Sequence, residues 1–303
     1  MKSGSAPGMQ VGVAGLGKMG AAIAARLIEV GHQVTVWNRS AAKAKPLIET
    51  GAKSAGAPAE LANACAVIIT ILTDAAAIDA VYSGANGLLS GDVKGRLFID
   101  MSTVRPNAEV ALAAKVKAKG AAMVECPVGG TVGPARQGKL LGLMGAESVD
   151  AARARPLLKQ LCRRLEHCGP VGSGASMKLA INLPLMVSWQ AYGEAFAICR
   201  GVGFDPERLT ELFADTSGAT NAFKARAPAI ATMLEGGDPG LATFDIASGV
   251  KDLETMLAEG KARGVELPLV ERTLACFAEA ANSGDAEKDG SAMPVFWSKR
   301  GKK

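Results

Sequence analysis

The sequence predicts an α/β domain with a doubly wound, mostly parallel sheet, then a long connecting helix and an all-α C-terminal domain. Three observations carry this. Short Val-, Ile- and Leu-rich runs alternate with Ala-rich helical stretches over the first 170 residues. The alternation stops at the Gly/Pro cluster GPVGSGAS (169–176), and no β-like run follows Met177. The length, 303 residues, suits two domains at roughly 150 residues each. The expected division is a disordered tail over 1–8, a cofactor-binding α/β domain over 9–172 and a connecting helix over 173–203. A helical domain over 204–297 and a basic tail over 298–303 complete it.

The expected strands are 9–15, 32–37, 65–72, 95–101, 121–126, 139–145 and 164–169. They are rich in Val, Ile and Leu and short enough for buried strands. Between them, AAIAARLIEV (21–30), AEVALAAKVKAKG (108–120) and SVDAARARPLLKQL (148–161) read as helices. Strand–helix alternation at this spacing argues for a parallel sheet covered on both sides. The later helices are expected at 177–200, 206–215, 219–233, 242–264 and 266–282. The stretches GVGFDP, GGDPG and ARGVELP punctuate them with helix stops and starts.

Composition excludes several function classes. The net charge of +5 comes mostly from Lys299, Arg300, Lys302 and Lys303, which leaves a balanced body unsuited to nucleic acid. No apolar run approaches the ~18 residues of a membrane span, and MKSGSAPG lacks the apolar core of a secretory signal. Six scattered cysteines (65, 126, 162, 168, 199, 276) with no CxxC pair fit free thiols in a reducing, cytoplasmic setting. His32 and His167 are the only histidines, too few for a clustered metal site, and no metal is expected. Both lie in turn-like contexts, so a Ser-His-Asp hydrolase is disfavoured. His32 reads as a turn residue, Cys126 as a small buried hydrophobe, and Phe244 equally as core or as a cofactor-packing ring two helical turns before Lys251.

The most informative motif is Gly15-Leu16-Gly17-Lys18-Met19-Gly20. A GxGxxG alone could be an ordinary tight turn. Here it follows an expected strand and opens an expected helix, the context of a Rossmann-type dinucleotide fingerprint. Gly15 permits the turn, Gly17 lets backbone approach the pyrophosphate, and Gly20 allows close packing of helix on strand. The helix N-terminus supplies N–H donors for the phosphates.

The end of the second strand selects the cofactor. An NAD enzyme would carry Asp or Glu there for the ribose hydroxyl. This chain has Asn38-Arg39-Ser40. Asn38 removes a charge that would repel a 2′-phosphate, Arg39 offers a planar fork for it, and Ser40 adds a donor. NADP(H) is therefore expected over NAD(H); the bland alternative is a solvated loop arginine. Two further strand ends, Leu72-Thr73 and Ser102-Thr103, are placed to meet cofactor or substrate, although Ser or Thr shortly before Pro106 could equally be a helix cap.

The ordered motifs GLGKMG (15–20), WNRS (37–40), DMSTVRP (100–106), ECPVGGTVGPARQGKLLGLMGA (125–146), GSGASMKLAIN (172–182) and GVKDL (249–253) resemble those of the β-hydroxyacid dehydrogenases. The resemblance runs from Met9 to Trp297. It implies that Lys178 is the catalytic acid/base and Asn182 a substrate ligand. It makes Ser102 and the Gly129-Gly130 backbone substrate-anchoring positions, and Leu72, Thr73, Thr103 and Lys251 cofactor contacts.

Elementary chemistry supports the lysine assignment. Lys178 and Asn182 lie four residues apart and share a helix face. Hydride delivery to a carbonyl builds negative charge on oxygen, which an ammonium stabilises and then protonates. At an unperturbed pKa of ~10.4 lysine is already in the form that reduction needs; oxidation would need burial and the nearby Lys251 to lower it. Position alone would make Lys178 one more surface lysine. Two departures bear on the substrate: the usual PVSGG loop reads Pro127-Val128-Gly129-Gly130-Thr131, and the usual Asn-Asn reads Ile181-Asn182.

The expected activity is NADPH-dependent reduction of an aldehyde or ketone, one bearing a carboxylate, by a homo-oligomer (dimer or tetramer). An imine reductase is the alternative within enzymes, disfavoured by the presence of Lys178. A non-catalytic NADPH-binding scaffold is the alternative outside them.

Overall fold

The computed structural model describes residues 8–300, so the tail expected over 1–8 and the last three residues of the basic tail fall almost wholly outside them. Contacts divide the chain into two compact units, Met1–Lys178 and Leu179–Lys303.

The first unit runs β1 (Gln10–Ala14), α1 (Lys18–Glu29), β2 (Gln33–Trp37), α2 (Lys45–Glu49), β3 (Lys53–Ser54), α3 (Pro58–Ala64) and β4 (Val67–Thr70). It continues with α4 (Ala75–Ser83), β5 (Leu97–Asp100), α5 (Pro106–Ala118), β6 (Ala122–Glu125), β7 (Val128–Gly129) and α6 (Val132–Arg136). It ends with β8 (Leu140–Gly145), α7 (Ser148–Leu161), β9 (Cys162–Gly169) and the start of α8 (Ser173–Ile198).

The strands form one sheet in the order β3-β2-β1-β4-β5-β6-β8-β7, with β9 paired to β8. From β3 to β6 every pairing is parallel. The sheet is not parallel throughout, because β8 runs antiparallel to both β6 and β7. The short loop and helix between β7 and β8 reverse the chain, which a tight connection does and a right-handed crossover does not. Strands β3 and β7, two residues each, were not expected: each is too short to show a period.

The continuous apolar runs have a direct explanation. Val11 and Val13, Val67 and Ile69, Leu97 and Ile99, and Ala122 and Val124 enter one core. The intervening Ile68, Phe98 and Met123 enter the core on the other face, with Ala14. A strand buried on both faces has no polar side to alternate with.

The second unit continues α8 and adds α9 (Pro206–Ala214), α10 (Asn221–Leu234), α11 (Ile246–Ala262), α12 (Pro268–Ala280) and α13 (Met293–Lys299). No strand occurs in it among the described residues; one isolated bridge joins Asp245 and Asp289. Its core gathers Trp189, Tyr192 and Phe196 of α8 with Phe223, Phe277 and Met293. Phe196 meets Phe213 edge-on at 4.9 Å. The Tyr192 hydroxyl donates to the Gly218 carbonyl at 2.9 Å and accepts from the Thr220 N–H at 2.8 Å. Asp205, Thr220 and Asp245 cap α9, α10 and α11 through their side chains.

Several boundaries differ from expectation. Helix α11 begins at Ile246, so Phe244 precedes the helix rather than lying two turns along it. Ser298 and Lys299 extend α13 into the region read as tail. His167 lies in strand β9, not in a turn, with its Nε2 2.9 Å from the Ala146 carbonyl.

Candidate active site

Strand order reverses between β1 and β4, and in open α/β sheets ligands bind beyond the carboxyl ends of the strands at such a point. The fingerprint loop leaves β1 there. Gly15 has φ +96°, a conformation that strains any residue with a side chain. A Cβ at Gly20 would lie 1.8 Å from the Gly15 carbonyl oxygen, so only glycine lets α1 pack this close to the turn. A Cβ at Gly17 would meet nothing within 4 Å. That open space faces a helix start with no side-chain cap and no acidic residue in its first turn. A dipole end with spare room and no anionic side chain fits a dinucleotide pyrophosphate.

Asn38 does more than leave out a charge. Its Oδ1 accepts from the Leu16 N–H at 2.8 Å, and its Nδ2 donates to the Ser40 carbonyl at 3.0 Å. It therefore ties the fingerprint loop to the end of β2, reinforcing the Gly15 N–H bond to the Trp37 carbonyl. Arg39 and Ser40 are exposed beside it.

At the ends of β4 and β5, the Ser102 Oγ accepts from the Leu72 N–H at 2.9 Å, and the Ser102 N–H donates to Asp100 Oδ1 at 2.8 Å. The N-cap position of α5 falls on Arg105 rather than on Ser102 or Thr103. Thr73 is exposed, just before Asp74, whose carboxylate caps α4. Gly129 lies in β7, where a Cβ would make ordinary contact with Leu141, while Gly130 has φ +121°.

A row of buried acids underlies these strand ends. Asp100 accepts a short hydrogen bond from Thr70, which also pairs with the Tyr82 hydroxyl at 2.9 Å. Burial raises the Asp100 pKa against the hydrogen bonds from Thr70 and Ser102. Glu109 is pushed well above the usual carboxylate range by burial and by Asp100. Glu125, at the end of β6, is pushed up to about 7, by burial first, against the N–H groups of Gly174, Gly172 and Ala175. Asp100 and Glu125 stand in the motifs DMSTVRP and ECPVGG, where a carboxylate closing an apolar strand was the available signal; Glu109, on α5, lies outside every motif.

In the second unit, Asn182 and Asp252 are both buried, and the Asn182 Nδ2 donates to Asp252 Oδ2 at 3.1 Å. Lys251 Nζ lies 2.7 Å from Asp252 Oδ1. Sequence reasoning singled out Asn182 and Lys251 but not the aspartate that joins them, although it stands in the motif GVKDL. Lys178 is buried and lies on the same continuous helix as Asn182, one turn earlier.

His32 proves structural: its Nδ1 accepts from the Met9 N–H and its Nε2 pairs with Gln160 Oε1. Cys126 is fully buried, and burial followed by Cys162 pushes its thiol well up, so it is an inert packing residue. No group of three or more His, Cys, Asp or Glu suited to a metal occurs among the described residues. None of their helices is long and apolar enough to cross a membrane.

Both units match known families. Residues 10–169 match the family described as the NAD binding domain of 6-phosphogluconate dehydrogenase. Residues 172–296 match the one described as NAD-binding of NADP-dependent 3-hydroxyisobutyrate dehydrogenase. Glyoxylate/succinic semialdehyde reductase 1 of Arabidopsis thaliana is 32% identical, over 94% of this chain and 97% of its own. The structure of Mycobacterium tuberculosis 3-hydroxyisobutyrate dehydrogenase with L-serine superposes at TM-score 0.82 with 26% identity, covering 95% of this chain and 99% of that one. A reductive aminase from Aspergillus terreus shares the fold at TM-score 0.62 and 23% identity, covering 95% and 99%. With both of its units matched and its dinucleotide loop intact, the chain belongs to the β-hydroxyacid dehydrogenase family and is an NAD(P)-dependent oxidoreductase.

Proposed function

We propose that this enzyme uses NADPH to reduce the carbonyl of a small carboxylate-bearing aldehyde or ketone, with Lys178 as proton donor. The observation that carries the cofactor choice is Arg39, exposed directly after the Asn38 tether and with no acid in the stretch Trp37-Asn38-Arg39-Ser40. When bound, the nicotinamide supplies the hydride. Lys178 stabilises the charge that develops on the carbonyl oxygen and delivers a proton to it. Asn182 orients the substrate, and Asp252 orients Asn182 through the 3.1 Å bond. In this reading Ser102, with the Gly129-Gly130 backbone, anchors the substrate carboxylate, while Leu72, Thr73, Thr103 and Lys251 contact the cofactor.

The names of the relatives support the substrate class: a semialdehyde reductase and a 3-hydroxyisobutyrate dehydrogenase act on short hydroxy acids or their carbonyl counterparts. Imine reduction is the second reading, and the fold of the reductive aminase favours it only at the level of architecture. A panel of semialdehydes, keto acids and imines, followed by NADPH absorbance, tests the proposal. Turnover of a carboxylate-bearing carbonyl supports it; turnover of imines alone, or NADPH binding without any turnover, refutes it.

The enzyme is also proposed to be a homo-oligomer working in the cytoplasm. The second unit leaves Ile198, Val202, Leu212, Leu241, Val265 and Leu269 exposed, apolar side chains that a second copy of the chain could cover. Light scattering of a stable 31 kDa particle at micromolar concentration would refute this.

A further inference from the structure

The first turn of α8 is capped from a distance. Its own sequence, Ser173-Gly174-Ala175-Ser176, offers no acidic residue. Glu125 fills that role from the end of β6: its Oε1 accepts from the N–H groups of Gly172 and Gly174, each at 2.7 Å. The site is shaped for the carboxyl group. A Cβ at Gly145 would lie 2.1 Å from Glu125 Oε1, and one at Gly174 would lie 2.3 Å from the Leu143 carbonyl oxygen. Gly172, at φ +99°, turns its N–H inward in a conformation open to glycine. Ser176 tightens the same turn by donating to the Gly172 carbonyl at 2.8 Å. Lys178 follows Gly174 by four residues, one turn further along the same helix.

We propose that Glu125 is a positioning residue, whose carboxylate clamps the first turn of α8 to the sheet and thereby fixes where Lys178 presents its amine. The inference rests on the reading of Lys178 as proton donor. A carboxylate accepts charge-assisted bonds at the positive end of a helix, and a protonated carboxyl accepts weaker ones. While Glu125 stays buried, the clamp therefore tightens against local opening as the carboxyl ionises, although the same ionisation favours global unfolding, where the group reaches water.

Of the titratable groups facing Glu125, Asp100 on β5 opposes its ionisation, while Glu109 on α5 and the thiols of Cys126 and Cys168 are themselves pushed up by Glu125. The amides of α8 favour its ionisation. Glu125 Oε2 is buried without a hydrogen-bond partner, which leaves that oxygen to carry the proton. The balance places the change near pH 7, since burial lifts the carboxyl to about 7.

The test needs no substrate. Amide exchange in the peptide spanning 170–178 is followed from pH 6 to pH 8 and corrected for intrinsic rates, in the wild type and in Glu125→Gln. In parallel, acylation of Lys178 by acetic anhydride is measured against exposed Lys159 on α7. Wild-type protection should rise several-fold with pH, and Glu125→Gln should be flat. Relative acylation of Lys178 should change at least threefold in the variant. Flat wild-type protection, or Lys178 labelling identical in the two proteins, overturns the proposal. Should Glu125→Gln fail to fold, the wild-type pH series decides by itself: coincident inflections in exchange and labelling support the clamp, and their absence refutes it. Full turnover by Lys178→Ala would instead refute the proton-donor reading, and the labelling measurement tells the two failures apart.

Discussion

Asn182 and Asp252 are joined by a buried hydrogen bond, the amide Nδ2 of one donating to the carboxylate Oδ2 of the other at 3.1 Å, seventy residues apart in sequence. Lys251 lies 2.7 Å from the other oxygen of the same carboxylate. The aspartate thus holds two residues of the proposed site at once. A charge-assisted bond of this kind contributes roughly 1.5–3 kcal/mol, and Asp252→Ala should destabilise the protein by about that amount. A double-mutant cycle with Asn182→Ala should return a coupling energy well above zero. Additive effects in urea melts would show that the two side chains act independently.

Loss of Arg39 should fall on one cofactor only. Arg39→Ala should lower kcat/KM for NADPH by about 10- to 150-fold, the equivalent of roughly 1.5–3 kcal/mol for charge-assisted hydrogen bonds. NADH use should barely change. Steady-state kinetics with both cofactors checks this, and a wild type that prefers NADH would end the assignment.

Lys178→Ala should lower kcat by about 10²–10⁴-fold, the usual scale for a positioned general acid. NADPH affinity should persist, because the fingerprint loop is elsewhere in the chain. Lys178→Arg should rescue little, since guanidinium retains its proton too firmly to donate it. Kinetics combined with a cofactor-binding titration separates loss of chemistry from loss of binding.

Stability should fall as pH rises from about 4.5 to about 7. Glu125 is pushed up to about 7 in the folded protein, so over that window the unfolded chain has released its proton while the folded chain still holds it. The slope is then about −1.4 kcal/mol per pH unit, and the total from this group about 3 kcal/mol. Asp100 and Glu109, also raised by burial, act with the same sign. Urea midpoints taken across the window check this; Glu125→Gln should flatten part of the slope.

Much of this protein was legible in its sequence because the relevant physics is local. The strands of the parallel sheet announce themselves because burial on both faces leaves no polar alternation to confuse them, as at Val67–Thr70 and Leu97–Asp100. The fingerprint is legible because steric demands at Gly15 and Gly20 admit no other residue. Tertiary structure decided what depends on residues distant in the chain. It set the antiparallel turn of β8, whose two-residue partner β7 carries no period of its own. It gave Asn38 a tethering role, which depends on a backbone N–H twenty-two residues away. It brought Asp252 to Asn182 and Glu125 to the start of α8, pairings across seventy and nearly fifty residues. A buried carboxylate must find its donors wherever the fold brings them, and no spacing along the chain records that requirement.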